Sequence, residues 1–144
     1  MAGRTCSLYI RKNETFVVSS ALTTHGYYMD DVPVFRVAPD QPDSAIGEAV
    51  LKALDSYRKD VPPVRHEDRK TYPVLQAIGL RSWGQLERTS RNISIEEDSG
   101  SVVVIPTRRP PEGGYEPLDQ LAVHCRAVAD EIGAAVRKAA LLCE

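Results

Sequence analysis

The chain has 144 residues, the size of one domain, with 42% hydrophobic and 26% charged positions. That balance excludes global disorder, and no apolar run approaches the roughly 20 residues of a membrane-spanning helix. Eighteen basic residues against twenty acidic ones give a net charge of −2, which disfavours a sequence-blind nucleic-acid binder.

Residues 5–11 alternate Cys6, Leu8 and Ile10 with Ser7, Tyr9 and Arg11, the pattern of a half-buried strand. A polar turn, Arg11 to Glu14, leads to a second strand over 15–22, and the two predict an antiparallel hairpin. Residues 23–31 read as a loop, Thr-Thr-His-Gly-Tyr-Tyr-Met-Asp-Asp. Residues 32–37 are β-like, with Pro33 at a strand start or on an edge because it lacks a ladder donor.

After the breaker Ala38 to Pro42, Asp43 or Ser44 is placed to cap a helix running to about Arg58. Ile46, Val50, Leu51 and Leu54 form its core-facing stripe. Residues 59–72 form a polar connection with the charged run Arg65 to Lys70. Pro73 opens a short helix over 74–78, and Gly79 fits its left-handed C-cap. Ser82 caps a second short helix with Gln85 at the capping-box position, Trp83 and Leu86 facing inward.

Residues 92–97 alternate, Asp98-Ser99-Gly100 turns the chain, and four β-branched residues from Val102 to Ile105 return it as a strand covered on both faces. A loop over 107–115 precedes a long helix expected from Pro117 to about Leu142, with Leu118, Leu121, Ala122, Cys125, Val128, Ile132 and Val136 on its stripe. The sum is a single α+β domain over 1–144: one antiparallel sheet of about five strands, built on two hairpins, covered by two long helices and two short ones.

Few residues carry the pattern of a reaction centre. His25, His66 and His124 have no convergent metal-ligand spacing, so no metal and no cofactor is expected. Cys125 beside His124 would point elsewhere on a helix, so it reads as a buried thiol. Cys6, Cys125 and Cys143 form no CxxC and read as three reduced thiols. Residues 1–6 hold no apolar signal core, which predicts a cytoplasmic protein.

A binding surface is the better-supported alternative. Tyr27 and Tyr28 stand beside Asp30 and Asp31, and Glu96, Glu97 and Asp98 add a second acidic point at a hairpin tip. Rings supply buried area at interfaces, and acids steer a basic partner. Two rival readings are open. One is a small enzyme with a sheet–helix cleft using His25, His66 and Tyr27. The other is a nucleic-acid module using Tyr9, Arg11 and Lys12 on an open sheet face.

The order of landmarks carries a resemblance. Gly47-Glu-Ala-Val-Leu-Lys-Ala-Leu-Asp-Ser-Tyr-Arg58 is followed by Ile78-Gly-Leu-Arg-Ser-Trp83, by Ile93-Ser-Ile95, and by Glu131-Ile-Gly-Ala-Ala-Val136. In these the chain resembles the CdiI-type immunity proteins of bacterial contact-dependent growth inhibition. The motifs are packing features, with Gly47 and Gly133 permitting close approach and Trp83 anchoring a short helix. The resemblance implies a cytoplasmic protein without catalysis. Its implied partner is the toxic C-terminal domain of a CdiA protein, often a nuclease, with no direct nucleic-acid or membrane contact.

Overall fold

A computed structural model describes residues 3–63 and 73–144. The charged run 65–70, with His66, lies outside the described residues. Two hairpins form as the alternation requires. The first joins β1 (Arg4–Arg11) to β2 (Glu14–Thr23), with Cys6 opposite Ser19 and Leu8 opposite Val17. Its two-residue turn holds Lys12 and Asn13 at φ of 51° and 67°, the left-handed geometry that suits the twist of a tight hairpin. The second joins β5 (Arg91–Asp98) to β6 (Ser101–Arg108) through Ser99 and Gly100, both at positive φ.

The sheet is larger than expected. Among the described residues it has eight strands, not about five: six run in the order β3 (Tyr28–Val37), β2, β1, β5, β6, β7 (Glu116–Pro117), while β4 (Arg58–Val61) pairs with β2 and β8 (Val123–Arg126) with β6 off that path. The β3 strand (Tyr28–Val37) begins where a loop was expected, and it pairs with β2 from Leu22 to Thr15. Its register jumps between Val18 and Ser19 of β2, which leaves Val32 and Pro33 in a bulge. Pro33 therefore sits on an outer strand and removes no ladder bond. A short β4 (Arg58–Val61) lies parallel to β2, the one parallel pairing described.

The expected 26-residue terminal helix is corrected. Its first third is β7 (Glu116–Pro117), a 3₁₀ turn over Asp119–Leu121 and β8 (Val123–Arg126). Only Ala129–Leu142 is helical (α4). Both short strands pair with the outer side of β6, with Val102 opposite Cys125 and Val104 opposite Val123. Strand pairing satisfies the backbone groups that β6 would otherwise leave bare.

One face of the sheet packs on α1 (Asp43–Asp55) and α4. Leu8, Val17, Ile93, Ile95, Val102 and Val104 meet Ile46, Val50, Leu54, Ile132 and Val136 in this main core. The N-cap of α1 is Pro42 and makes no side-chain cap bond, so neither Asp43 nor Ser44 caps it. Asp43 instead accepts from Arg137 Nε at 2.7 Å, tying α1 to α4. The two helices cross so closely that a Cβ on Gly47 would stand 1.9 Å from the Ala129 carbonyl oxygen, and one on Gly133 2.1 Å from that of Asp43.

The opposite face carries a second core. Tyr9, Phe16 and Val18 pack against Val74, Leu75, Ile78 and Leu86 of α2 (Pro73–Ile78) and α3 (Trp83–Thr89), with Trp83 half-buried at its edge. Gly79 ends α2 at φ +87°, and the amides of Gly79 and Leu80 both donate to the Leu75 carbonyl. Ser82 Oγ accepts from the Gln85 amide at 3.1 Å, while Gln85 Oε1 reaches the amide of Arg81 and not that of Ser82. Ser82→Ala is expected to cost about 1 kcal/mol, seen as a fall in the thermal midpoint of roughly 2–4 °C. An unchanged midpoint would show that α3 is held by Leu86 and Trp83 alone.

Candidate partner-binding surface

Helices α2 and α3 cover only one end of the second face. At the other end the strand register lines up residues that share a side of the sheet. Tyr28 and Asp30 of β3 stand opposite Leu22 and Ser20 of β2. Thr5 of β1 pairs with Glu96 of β5, Ser7 with Ser94, and Glu96 with Val103 of β6. Among the described residues this half-face has no helix packed on it.

The two acidic points read from the sequence meet here. One pocket of about 310 Å³ is lined by Tyr28 together with Glu96, Glu97 and Asp98. A smaller one, about 180 Å³, is lined by Tyr28, Asp30 and Glu96. The chain thus joins residues 28–30 to 96–98 across β2, β1 and β5.

The seven expected contact residues do not share one role. Tyr27 and Tyr28 are exposed, at 48% and 57%. The turn before β3 fixes them: the Thr23 amide donates to the Tyr27 carbonyl at 2.9 Å and the Gly26 amide to the Thr23 carbonyl at 3.0 Å. The Tyr28 ring leans on Tyr57 with centroids 6.5 Å apart. Glu96 and Asp98 are exposed, whereas Glu97 is half-buried and accepts from Arg4 Nε at 3.0 Å.

Asp30 and Asp31 are not the exposed loop acids expected from their surroundings. Adjacent strand residues face opposite sides, so each lies on a different face of β3. Asp31 is 8% exposed. Its carboxylate accepts from Arg58 at 2.6 Å and 2.9 Å and from the Val32 amide at 2.9 Å. Asp30 accepts from the Tyr9 hydroxyl at 2.5 Å and also from Ser7. Withdrawal from water pushes its carboxyl up to about 6, against the lowering effect of those two donors.

Tyr9 itself is 6% exposed and sits 6.0 Å from the tilted ring of Tyr115. It is no stacking platform for a base, and the nucleic-acid reading loses its aromatic. Arg11 donates to Thr89 Oγ1 at 3.0 Å. Cys125 and His124 are strand neighbours on β8 and point to opposite faces, so they form no nucleophile–base pair. Cys125 packs against the main core, and burial pushes its thiol up. His25 is exposed in the turn before β3. Among the described residues no three His, Cys, Asp or Glu side chains gather as a metal site, and no helix is long and apolar enough to cross a membrane.

Sequence reasoning missed the small polar residues of this surface. Thr5, Ser7, Ser20 and Ser94 form its middle. Their signal was present as the outward half of each strand's alternation, where a second apolar face would have placed Val or Ile.

No protein-family model and no curated protein matches the chain. Solved structures do. A protein of unknown function from Neisseria meningitidis superposes with a TM-score of 0.76 at 17% identity, over 99% of this chain and 96% of that one. A chain of the CdiA-CT/CdiI toxin and immunity complex from Yersinia pseudotuberculosis superposes with a TM-score of 0.75 at 16% identity, over 100% of this chain and 99% of that one. From end to end the chain has the fold of a chain from a toxin and immunity complex, as its resemblance to the CdiI type implied.

Proposed function

We propose that this protein is a cytoplasmic immunity protein that binds the C-terminal toxin domain of a CdiA-type protein and neutralises it by occlusion. The observation that carries this reading is the full-length fold match with a chain of a toxin and immunity complex. The half-face on which no helix packs among the described residues supports it. Tyr27 and Tyr28 offer exposed rings, and Glu96 and Asp98 offer exposed carboxylates beside them.

A nuclease toxin presents cationic groups where phosphate binds. Carboxylates set into that cleft satisfy those groups and exclude substrate, while the rings supply buried area. Such a protein acts by binding alone and needs neither cofactor nor metal. Asp31 and Glu97 hold the surface in shape through Arg58 and Arg4, and Asp30 is among the residues lining its smaller pocket.

The test is binding and protection. The toxin domain encoded beside this gene should bind the purified protein in titration calorimetry, and co-expression should restore growth to cells making that domain. Tyr28→Ala combined with Glu96→Lys changes two exposed residues, so the fold should shift by less than about 0.5 kcal/mol. Toxin affinity should fall at least about tenfold, and the loss should grow at low salt. Unchanged affinity rejects this surface. A neighbouring toxin domain that neither binds nor is neutralised rejects the immunity reading.

A further inference from the structure

The second core reaches the candidate surface through one hydroxyl. Tyr9 is 6% exposed and packs with Phe16 and Val18 against Val74, Leu75 and Leu86. A phenylalanine ring would fill that space, and a hydroxyl taken out of water costs free energy unless it is bonded. The Tyr9 hydroxyl donates to Asp30 Oδ2 at 2.5 Å. Tyr9 lies opposite Phe16 of β2 and Asp30 opposite Ser20, so the bond passes from β1 over β2 to β3 and advances four positions along β2. It starts inside the core built with α2 and α3 and ends on Asp30, which lines the smaller pocket with Tyr28 and Glu96.

Tyr115 supplies the contrast. Its ring lies 6.0 Å from that of Tyr9, yet its hydroxyl stays within the core, at 2.8 Å from Ser90 Oγ and 3.3 Å from the Leu86 carbonyl to which it donates. Of these two neighbouring hydroxyls, that of Tyr9 alone is bonded to a residue of the pocket. A hydrogen bond to a carboxylate is roughly twice as strong as one between neutral groups. Asp30 and Tyr28 are two apart on β3 and share a face of the sheet. A surface already held in its bound form binds more tightly, because less ordering is left to the encounter. We propose that Tyr9 is a positioning residue of the partner-binding surface: from inside the second core its hydroxyl holds Asp30, and with it the Tyr28 end of β3, in the form that the toxin domain binds. The proposal rests on the toxin-binding reading and names a residue that sets affinity without touching the partner.

The test is titration calorimetry of full-length variants with the toxin domain encoded beside this gene, with thermal midpoints measured alongside. Tyr9→Phe keeps the ring and removes the hydroxyl. It should weaken toxin binding about three- to tenfold, the range expected of a residue that acts on a site from outside it. Tyr115→Phe removes the neighbouring hydroxyl and should change affinity by less than about twofold, whatever it does to the thermal midpoint. In an Asp30→Ala background the Tyr9 hydroxyl has lost its acceptor, so adding Tyr9→Phe should weaken binding no further, within about twofold. If Asp30→Ala does not fold, the contrast between Tyr9→Phe and Tyr115→Phe decides. Unchanged affinity in Tyr9→Phe overturns the positioning role and leaves the immunity reading standing. Equal losses in Tyr9→Phe and Tyr115→Phe, or equal losses with and without Asp30, overturn it as well, because they mark a general effect on the core. A Tyr9→Phe variant that does not fold shows a structural hydroxyl and overturns it too. A toxin domain that does not bind the wild type overturns the immunity reading and this role with it.

Discussion

Gly133→Ala should destabilise the protein by about 3 kcal/mol, although alanine is the better helix former. Intrinsic propensity favours the change by about 1 kcal/mol in the middle of α4. Packing opposes it. The added Cβ would stand 2.1 Å from the Asp43 carbonyl oxygen, and the reciprocal Cβ on Gly47 1.9 Å from that of Ala129. Both obstacles are backbone atoms, so no side chain can rotate out of the way. The helices must separate, which opens the main core around Ile46, Val50, Ile132 and Val136. Overpacking of that kind costs about 1–3 kcal/mol and sometimes more, and here it must also cancel the gain in propensity. The thermal midpoint should fall by roughly 10 °C, and Gly47→Ala should act in the same direction. Because the two sites share one crossing, the double variant should lose less than the sum of the single losses. A variant as stable as wild type, or more so, would show that α1 and α4 are further apart than the structure places them.

That crossing was legible in the sequence as two glycines in apolar stripes, and so was most of the frame. Both hairpins, α1 to within three residues of its end, α2 with its Gly79 cap and the Ser82 start of α3 follow from local chemistry. What failed was decided by distant parts of the chain. Leu118, Leu121, Ala122 and Cys125 step by threes and fours, and that spacing runs on into the true stripe of α4. Yet Val123 and Cys125 also alternate, and the bare side of β6 selects the strand. Propensity and period are weak priors against such a demand. Tyr28 to Asp31 was misread for a related reason. A Tyr-Tyr-Met-Asp-Asp run is polar enough for a loop, but an edge strand tolerates polar residues on both faces.

The candidate surface was half legible. Aromatic and acidic composition drew attention to Tyr27, Tyr28 and Glu96, and the register then brought Tyr28 and Glu96 to the same pockets. Composition cannot say which of two neighbouring acids faces outward. Asp31 is consumed by Arg58 and the Val32 amide, and Asp30 by Tyr9 and Ser7. Lysine at both positions, harmless on an exposed loop, would here break a charge pair whose acidic partner is 8% exposed.

Asp30→Asn should therefore stabilise the protein at neutral pH. The Asp30 carboxyl is held at about 6, above its ordinary value of 3.8, because burial penalises the charge. The native state then binds more protons than the unfolded chain between about pH 4 and pH 6. Stability from this group is greatest below pH 4, falls as pH rises through that window, and stays low above it. Two units correspond to about 3 kcal/mol at pH 7.5, an upper figure because the carboxylate keeps some contact with solvent. Asparagine retains an oxygen for the Tyr9 hydroxyl and removes the charge. Urea denaturation at pH 7.5 should show the variant more stable than wild type by about 1–3 kcal/mol. At pH 4 the two should differ by much less, so the gap itself should follow the titration of Asp30. If the variant is less stable than wild type at pH 7.5, the Asp30 carboxylate is net stabilising through the interactions it makes, those with Tyr9 and Ser7 included.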